Sequence, residues 1–185
     1  MKGLPRDVFG GLVRRHNAAK YVKTFGHWDH LIAMLYARLT NTTGLRELVN
    51  GFNSHASKHY HLGTGTIKRT TLAKANETRS DAMFRETVSW LIGQMSRSLR
   101  KDTQELLFLL DSTSITLRGR EFYRWTTATQ TRNTQGIKLH MLIESVAHSP
   151  AWYDFSPANV NDVQLAHAVP LEHGATYVFD KGYCD

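Results

Sequence analysis

Two aspartates, Asp111 and Asp180, close matching apolar segments: L-L-F-L-L-D (106–111) and T-Y-V-F-D (176–180). A short continuous apolar run is what a strand buried on both faces requires. Neighbouring strands lie ~4.8 Å apart. If these two are adjacent and parallel, both carboxylates emerge at the same sheet edge, where α/β sheets tend to bind ligands. Two carboxylates there offer hard oxygen ligands to a divalent cation. A pair of such ions about 3.5–4 Å apart activates a water or 3′-hydroxyl and stabilises the leaving oxygen of an in-line attack on phosphate. A second reading stays open. Aspartate also follows strands because its carboxylate bonds nearby backbone N–H groups in turns, and Asp180-Lys181-Gly182 is turn-like. A D-x-D phosphatase pattern is disfavoured, because Ser112 and Thr113 follow Asp111.

The elements that would position this pair differ along the chain. In 26–39, Trp28, Leu31, Ile32, Leu35, Tyr36 and Leu39 recur at helical spacing. Thr43 is a candidate N-cap for a second helix, with Glu47 in its first turn and Leu45, Leu48, Val49 and Phe52 on one face. H-A-S-K-H-Y-H-L-G-T-G (55–65) breaks the pattern. A third helix starts near Ile67 or Thr70 and runs toward Arg79. After Ser80, the apolar residues Phe84, Val88, Leu91, Ile92, Met95 and Leu99 form one stripe. Beyond Lys101 strands dominate. The first, 106–110, ends at Asp111. Residues 115–117 and 122–125 read as a hairpin around Arg118-Gly119-Arg120. Residues 137–141 alternate as a half-buried strand, 152–155 form another, and 176–179 lead to Asp180. Asn161 followed by Gln164 resembles a capping box for a short helix that stops before Pro170. The expected fold class is therefore a helical N-terminal domain, 1–101, followed by a mixed α/β domain, 102–185.

Charge follows the same division. Residues 1–101 hold 17 Lys and Arg against 6 Asp and Glu, a net of +11, and residues 102–185 hold 6 against 10, a net of −4. A basic front half neutralises phosphates and releases their counterions; an acidic back half supplies carboxylates for hard cations. The single cysteine, Cys184, excludes a disulfide framework within the chain and fits a reducing cytoplasm. The longest apolar run, 106–110, is too short to span a bilayer. The opening M-K-G-L-P-R-D has no apolar core of a signal peptide.

Four further motifs occur in order: L-D-S-T-S-I (110–115), T-Q-G-I-K-L-H (134–140), S-P-A-N-V-N-D (156–162) and Y-V-F-D-K-G-Y (177–183). Together they resemble the DDE transposases of bacterial insertion sequences, in the insertion-sequence-four superfamily. L-R-E-L (45–48), G-F-N-S (51–54) and H-Y-H-L-G (59–63) resemble the helical N-terminal domain of many members. The resemblance implies an incomplete ribonuclease-H-like sheet and makes Asp111 and Asp180 catalytic metal ligands. It implies Mg²⁺ or Mn²⁺ in a two-metal site, terminal inverted repeats and target DNA as partners, and a homodimer for the full-length enzyme. The location it implies is cytoplasmic, at the nucleoid. The third ligand would be a glutamate on a later helix, within a Tyr-Arg-Glu-Lys signature. Nothing here matches it: Glu172 precedes the D-x-G-Y motif, and Asp185 lies too near Asp180. The expectation is a C-terminally truncated and catalytically incomplete transposase. Alternatives are a non-catalytic DNA-binding protein or inhibitor, and a remnant whose sheet lacks its covering helix.

Lys68, Arg69, Lys74 and Arg79 lie on or near the third helix, where they would contact DNA phosphates, or merely form a solvated face. Arg118, Arg120, Arg124 and Arg132 would grip the backbone or solubilise a hairpin. Lys181 and Tyr183 would position phosphates beside Asp180, or Tyr183 would be a core aromatic. His55, His59 and His61 raise a weak zinc reading, with surface histidines or phosphate contacts as the alternative. G-T-G (63–65) is not a P-loop, because no Gly-Lys-Ser/Thr follows.

Overall fold

The computed structural model describes residues 3–16, 22, 24–99, 106–117 and 135–184. The chain divides into two compact units, Met1–Leu91 and Ile92–Asp185. A helical N-terminal region precedes a four-stranded mixed sheet, an α+β fold as expected.

The helices are α1 (Arg6–Arg15), α2 (His27–Leu39), α3 (Leu45–Ser54), α4 (His59–Leu62), α5 (Arg69–Thr78) and α6 (Ala82–Leu99). Periodicity locates α2, α3 and α6, and the third expected helix corresponds to α5. Periodicity misses α1, which buries Phe9, Leu12 and Val13. The residue flanking α3 is Gly44, not Thr43. The segment expected to break the pattern holds a 3-10 turn, Ala56–Lys58, and α4. That helix ends at Gly63, in the left-handed region at φ 62°. There a Cβ would approach Arg6 Nη1 to 2.5 Å, so glycine suits both the backbone and the space.

The larger core group of this unit gathers Phe25, Ile32, Phe52, Ile67 and Leu72; a second joins Leu4, Phe9, Val13 and Met83. Phe52 meets Tyr36 edge-on at 5.4 Å and lies against the His59 ring at 4.3 Å. The stripe predicted on α6 is rotated. Met83 and Thr87 are buried, whereas Val88 and Met95 are exposed. Thr87 can turn inward because its hydroxyl donates to the Met83 carbonyl at 2.7 Å.

In the second unit the strands are β1 (Leu107–Thr116), β2 (Gly136–Glu144), β3 (Ser149–Pro157) and β4 (Thr176–Phe179), in sheet order β3-β2-β1-β4. β1 pairs antiparallel with β2 and parallel with β4, and β2 pairs antiparallel with β3. The first strand does not stop at Asp111. Ser112, Thr113, Ser114 and Ile115 continue it, opposite His140, Leu139, Lys138 and Ile137. These polar and β-branched residues suit a strand flanked on one side only. Ile115 and Thr116 therefore extend β1 into pairing with β2, and the partner predicted for 115–117, residues 122–125, lies outside the described residues. Gly136 sits where a Cβ would meet the Ile115 carbonyl oxygen at 2.5 Å.

Helix α7 (Asp162–Ala166) lies between β3 and β4 in the chain and ends before Pro170 as predicted. The Asn161 side chain accepts from the Val163 N–H at 3.4 Å. One sheet face packs Phe108, Leu110 and Leu142 with Val169 and Tyr183. The alternation along β2 is real, but its most buried phase carries His140, Leu142 and Glu144. Ile137, Leu139 and Met141 take the half-buried phase.

Candidate active site

The β1–β4 ladder is parallel and in register, pairing Leu109 with Val178 and Leu110 with Phe179. Asp111 and Asp180 each follow the last pair, so they stand at equivalent positions on adjacent chains, about one strand spacing (~4.8 Å) apart in backbone path. Both are exposed. Asp111 Oδ1 accepts from the Ser112 N–H at 2.7 Å, and Asp180 Oδ1 accepts from the Lys181 N–H at 2.6 Å. Asp180 thereby caps a 3-10 turn, Lys181–Tyr183. The turn-forming reading holds at Asp180, whereas Asp111 lies within β1 opposite Met141. Exposed carboxylate oxygens fit a Mg²⁺- or Mn²⁺-type cation. Among the described residues no group of three or more His, Cys, Asp or Glu could hold a metal ion.

Beneath the pair lies a buried polar network that sequence reasoning missed. His140 is fully buried. Its Nδ1 lies 3.0 Å from the Tyr183 hydroxyl and its Nε2 lies 2.9 Å from Ser156 Oγ; the imidazole tautomer sets which atoms donate. The Ser112 side chain hydrogen-bonds to Tyr183. Burial pushes the Tyr183 phenol up, against the Ser112 hydrogen bond, with the Asp162, Asp111 and Asp180 carboxylates adding to the rise. Burial pushes His140 down; Asp162 and Asp154 oppose this and Lys138 adds to it. A neutral phenol and a neutral imidazole at pH 7 follow. Alongside, Lys138 Nζ donates to Asp162 Oδ1 at 2.8 Å and to the Val160 carbonyl at 3.0 Å.

Ser112, Lys138, His140, Ser156, Asp162 and Tyr183 come from the four sequence motifs, which the fold links into neighbouring hydrogen-bonded groups. One signal was available in the sequence. Lys138, His140 and Leu142 share one strand phase, so a polar phase continues into an apolar residue. A buried polar face can be inferred from that pattern, though not its partners.

The remaining candidates are scattered. Lys181 is exposed at the start of the 3-10 turn. Lys68 flanks the N-terminus of α5 and Arg69 opens it, both exposed. Lys74 pairs with Glu77 at 2.9 Å on the surface. Arg79 faces the interior. It donates to the Phe25 carbonyl and, at 3.1 Å, to that of Gly26, with its guanidinium over the Phe25 ring. Those groups occupy two of its nitrogens with helix packing. Arg118, Arg120, Arg124 and Arg132 lie outside the described residues. His59 is buried and its Nε2 lies 2.9 Å from the Phe52 carbonyl oxygen, a packing role rather than a zinc site.

Two family comparisons fit this arrangement. Residues 102–185 match the family described as Transposase DDE domain, and residues 1–65 match Domain of unknown function (DUF4372). A relative from Sinorhizobium fredii, named "Putative transposase y4zB", is 40% identical over 113 residues. That alignment covers 61% of this chain and 31% of the relative's length. No solved structure matches. The match to the Transposase DDE domain falls on the mixed sheet that carries the two aligned aspartates. Residues 102–185 belong to the Transposase DDE domain family, and the comparisons together support a DDE transposase of insertion-sequence type.

Proposed function

We propose that this chain serves DNA transposition, with Asp111 and Asp180 as two of the carboxylates that hold divalent metal at the reacting phosphate. The carrying observation is the parallel β1–β4 register, which sets both aspartates one residue beyond the last ladder pair. When bound, Mg²⁺ or Mn²⁺ would supply Lewis-acid activation of the attacking oxygen and neutralise the leaving one. The chain's own residues orient that chemistry: the Ser112 and Lys181 amides fix one oxygen of each carboxylate. Lys181 lies where it would meet a DNA phosphate. The sheet is taken as part of a ribonuclease-H-like domain spanning 102–185, completed in the working enzyme by a third carboxylate. Such an enzyme binds terminal repeats, cleaves strands and joins 3′ ends to target DNA as a homodimer in the cytoplasm, at the nucleoid. No helix among the described residues is long and apolar enough to cross a membrane.

The test is strand cleavage by a transposase carrying this segment together with the third carboxylate. Asp111→Asn and Asp180→Asn should each lower Mn²⁺-dependent cleavage of end DNA by about 100-fold or more, as expected when a developing charge loses its stabilising group. Unchanged cleavage in either variant overturns the assignment of that residue.

The second reading, a DNA-binding protein or inhibitor without chemistry of its own, is favoured by the +11 net charge of residues 1–101. Lys68, which flanks α5, and Arg69, which opens it, are its exposed phosphate contacts. It predicts that the chain prefers terminal-repeat DNA over random DNA across a salt series; equal affinity for both removes end recognition.

A further inference from the structure

The β1–β4 ladder ends at Leu110 and Phe179, one residue short of each aspartate. No strand pairing therefore holds the Asp180 segment to the Asp111 segment at the level of the carboxylates. The next tie between them is the Tyr183 hydroxyl. Tyr183 closes the 3-10 turn that Asp180 caps, its N–H donating to the Asp180 carbonyl at 3.0 Å. Its hydroxyl meets the side chain of Ser112, the residue after Asp111. The same hydroxyl meets His140 on β2, which is held in turn by Ser156 on β3. Tyr183, His140 and Ser156 are all at least nine-tenths buried. A buried polar group that loses its partner carries the full cost of desolvation, so such a chain admits few alternative arrangements.

We propose that Tyr183 is a positioning residue: its buried hydroxyl, clamped between Ser112 and His140, sets the separation of the Asp111 and Asp180 carboxylates. This rests on the reading of that pair as a metal site. The bridge takes over where the backbone ladder stops and refers the Asp180 turn to all three neighbouring strands. It also gives the tyrosine of Asp-Lys-Gly-Tyr a role beyond filling space. Phenylalanine would keep the edge-on contact with Phe179 at 6.3 Å but would lose the clamp.

The experiment uses this chain with Mn²⁺ as probe, following affinity by water-proton relaxation and the exchange of individual amides by NMR. Controls are Asp111→Asn and Asp180→Asn; test variants are Tyr183→Phe and, should that one fold poorly, Ser112→Ala. The expected result is a cooperative melt for the test variants with Mn²⁺ affinity down about tenfold, the scale of losing a residue that orients a ligand. Exchange of the Lys181 amide, which bonds Asp180, should quicken while that of Ile67 in the helical unit stays the same. Mn²⁺ affinity within twofold of the parent in both test variants, with either control abolishing binding, would overturn the positioning role and leave the metal site standing. Mn²⁺ binding that is absent in the parent, or unchanged in both controls, overturns the metal site and the positioning role with it.

Discussion

The helical unit and the sheet unit both bury histidine and other polar side chains, but they satisfy them differently. In the helical unit the partners include the main chain. Asn53 exchanges two 2.9 Å bonds with the backbone of Ile67, Arg79 donates to the Phe25 and Gly26 carbonyls, and His59 meets the Phe52 carbonyl. In the sheet unit the chain Ser112, Tyr183, His140, Ser156 runs from side chain to side chain, under two exposed carboxylates. Polar groups bonded to backbone fix where elements lie. Polar groups bonded to one another fix where other side chains lie, which is what a site demands.

The largest perturbation should come from the apolar frame of the helical unit. Phe52→Ala removes a ring that is 2% exposed, and should cost about 3–5 kcal/mol in denaturant unfolding. A loss below about 1 kcal/mol would mean that backbone-directed polar bonds, not packing, carry this unit.

Acid should act on the same unit. Burial, then Arg79, then His30 push His27 from 6.5 down to about 4. The native state therefore binds fewer protons than the unfolded state between these values. The associated stability is complete above pH 6.5 and is lost as pH falls toward 4, on the order of 3 kcal/mol. His30 is lowered too, chiefly by burial, so it adds in the same direction. His27→Gln should flatten the pH dependence of unfolding in that window; an unchanged slope removes His27 as its source.

Two truncations to alanine compare the two kinds of buried bond directly. Asn53→Ala strands the Ile67 amide and carbonyl and should cost about 1–3 kcal/mol with no change in Mn²⁺ binding. Ser156→Ala should cost about 1–2 kcal/mol and also weaken Mn²⁺ binding, because His140 loses the group that orients it. Equal effects on metal from both would erase the distinction. The smallest effect is expected for Lys74→Ala, whose ion pair with Glu77 is roughly two-thirds exposed on both sides. It should change stability by no more than about 0.5 kcal/mol, as urea midpoints would show.

Legibility in the sequence followed the kind of interaction involved. Apolar periodicity locates α2, α3 and α6, a short helix near α5 is read without it, and the apolar runs ending in aspartate locate β4 and the first half of β1. The parallel pairing is open in the sequence, because strand adjacency is a long-range property. α1 went unseen because Gly10 and Gly11 interrupt it, although Phe9, Leu12 and Val13 carry its buried face. The continuation of β1 went unseen because Ser112 to Ser114 have no apolar alternation. The alignment of Asp111 with Asp180 is legible from the apolar runs that precede them, although only Asp180 follows a strand end, Asp111 lying within β1. Tyr183 remained ambiguous and His140 went unassigned, because a histidine in an alternating strand reveals its burial only once its partners arrive from β3 and the Asp180 turn.

The parallel β1–β4 ladder also has a kinetic meaning. It is four pairs long, and Leu110 and Phe179 stand 69 positions apart in the chain. Closing so long a loop costs entropy before any pair rewards it, and contacts of high sequence separation form slowly. The helices α2 to α5 draw on nearer neighbours. The carboxylate pair is therefore expected to assemble late, after both β1 and the segment following α7 have been synthesised and collapsed. A nascent or partly folded chain would then carry its basic helical segment well before the two aspartates were aligned.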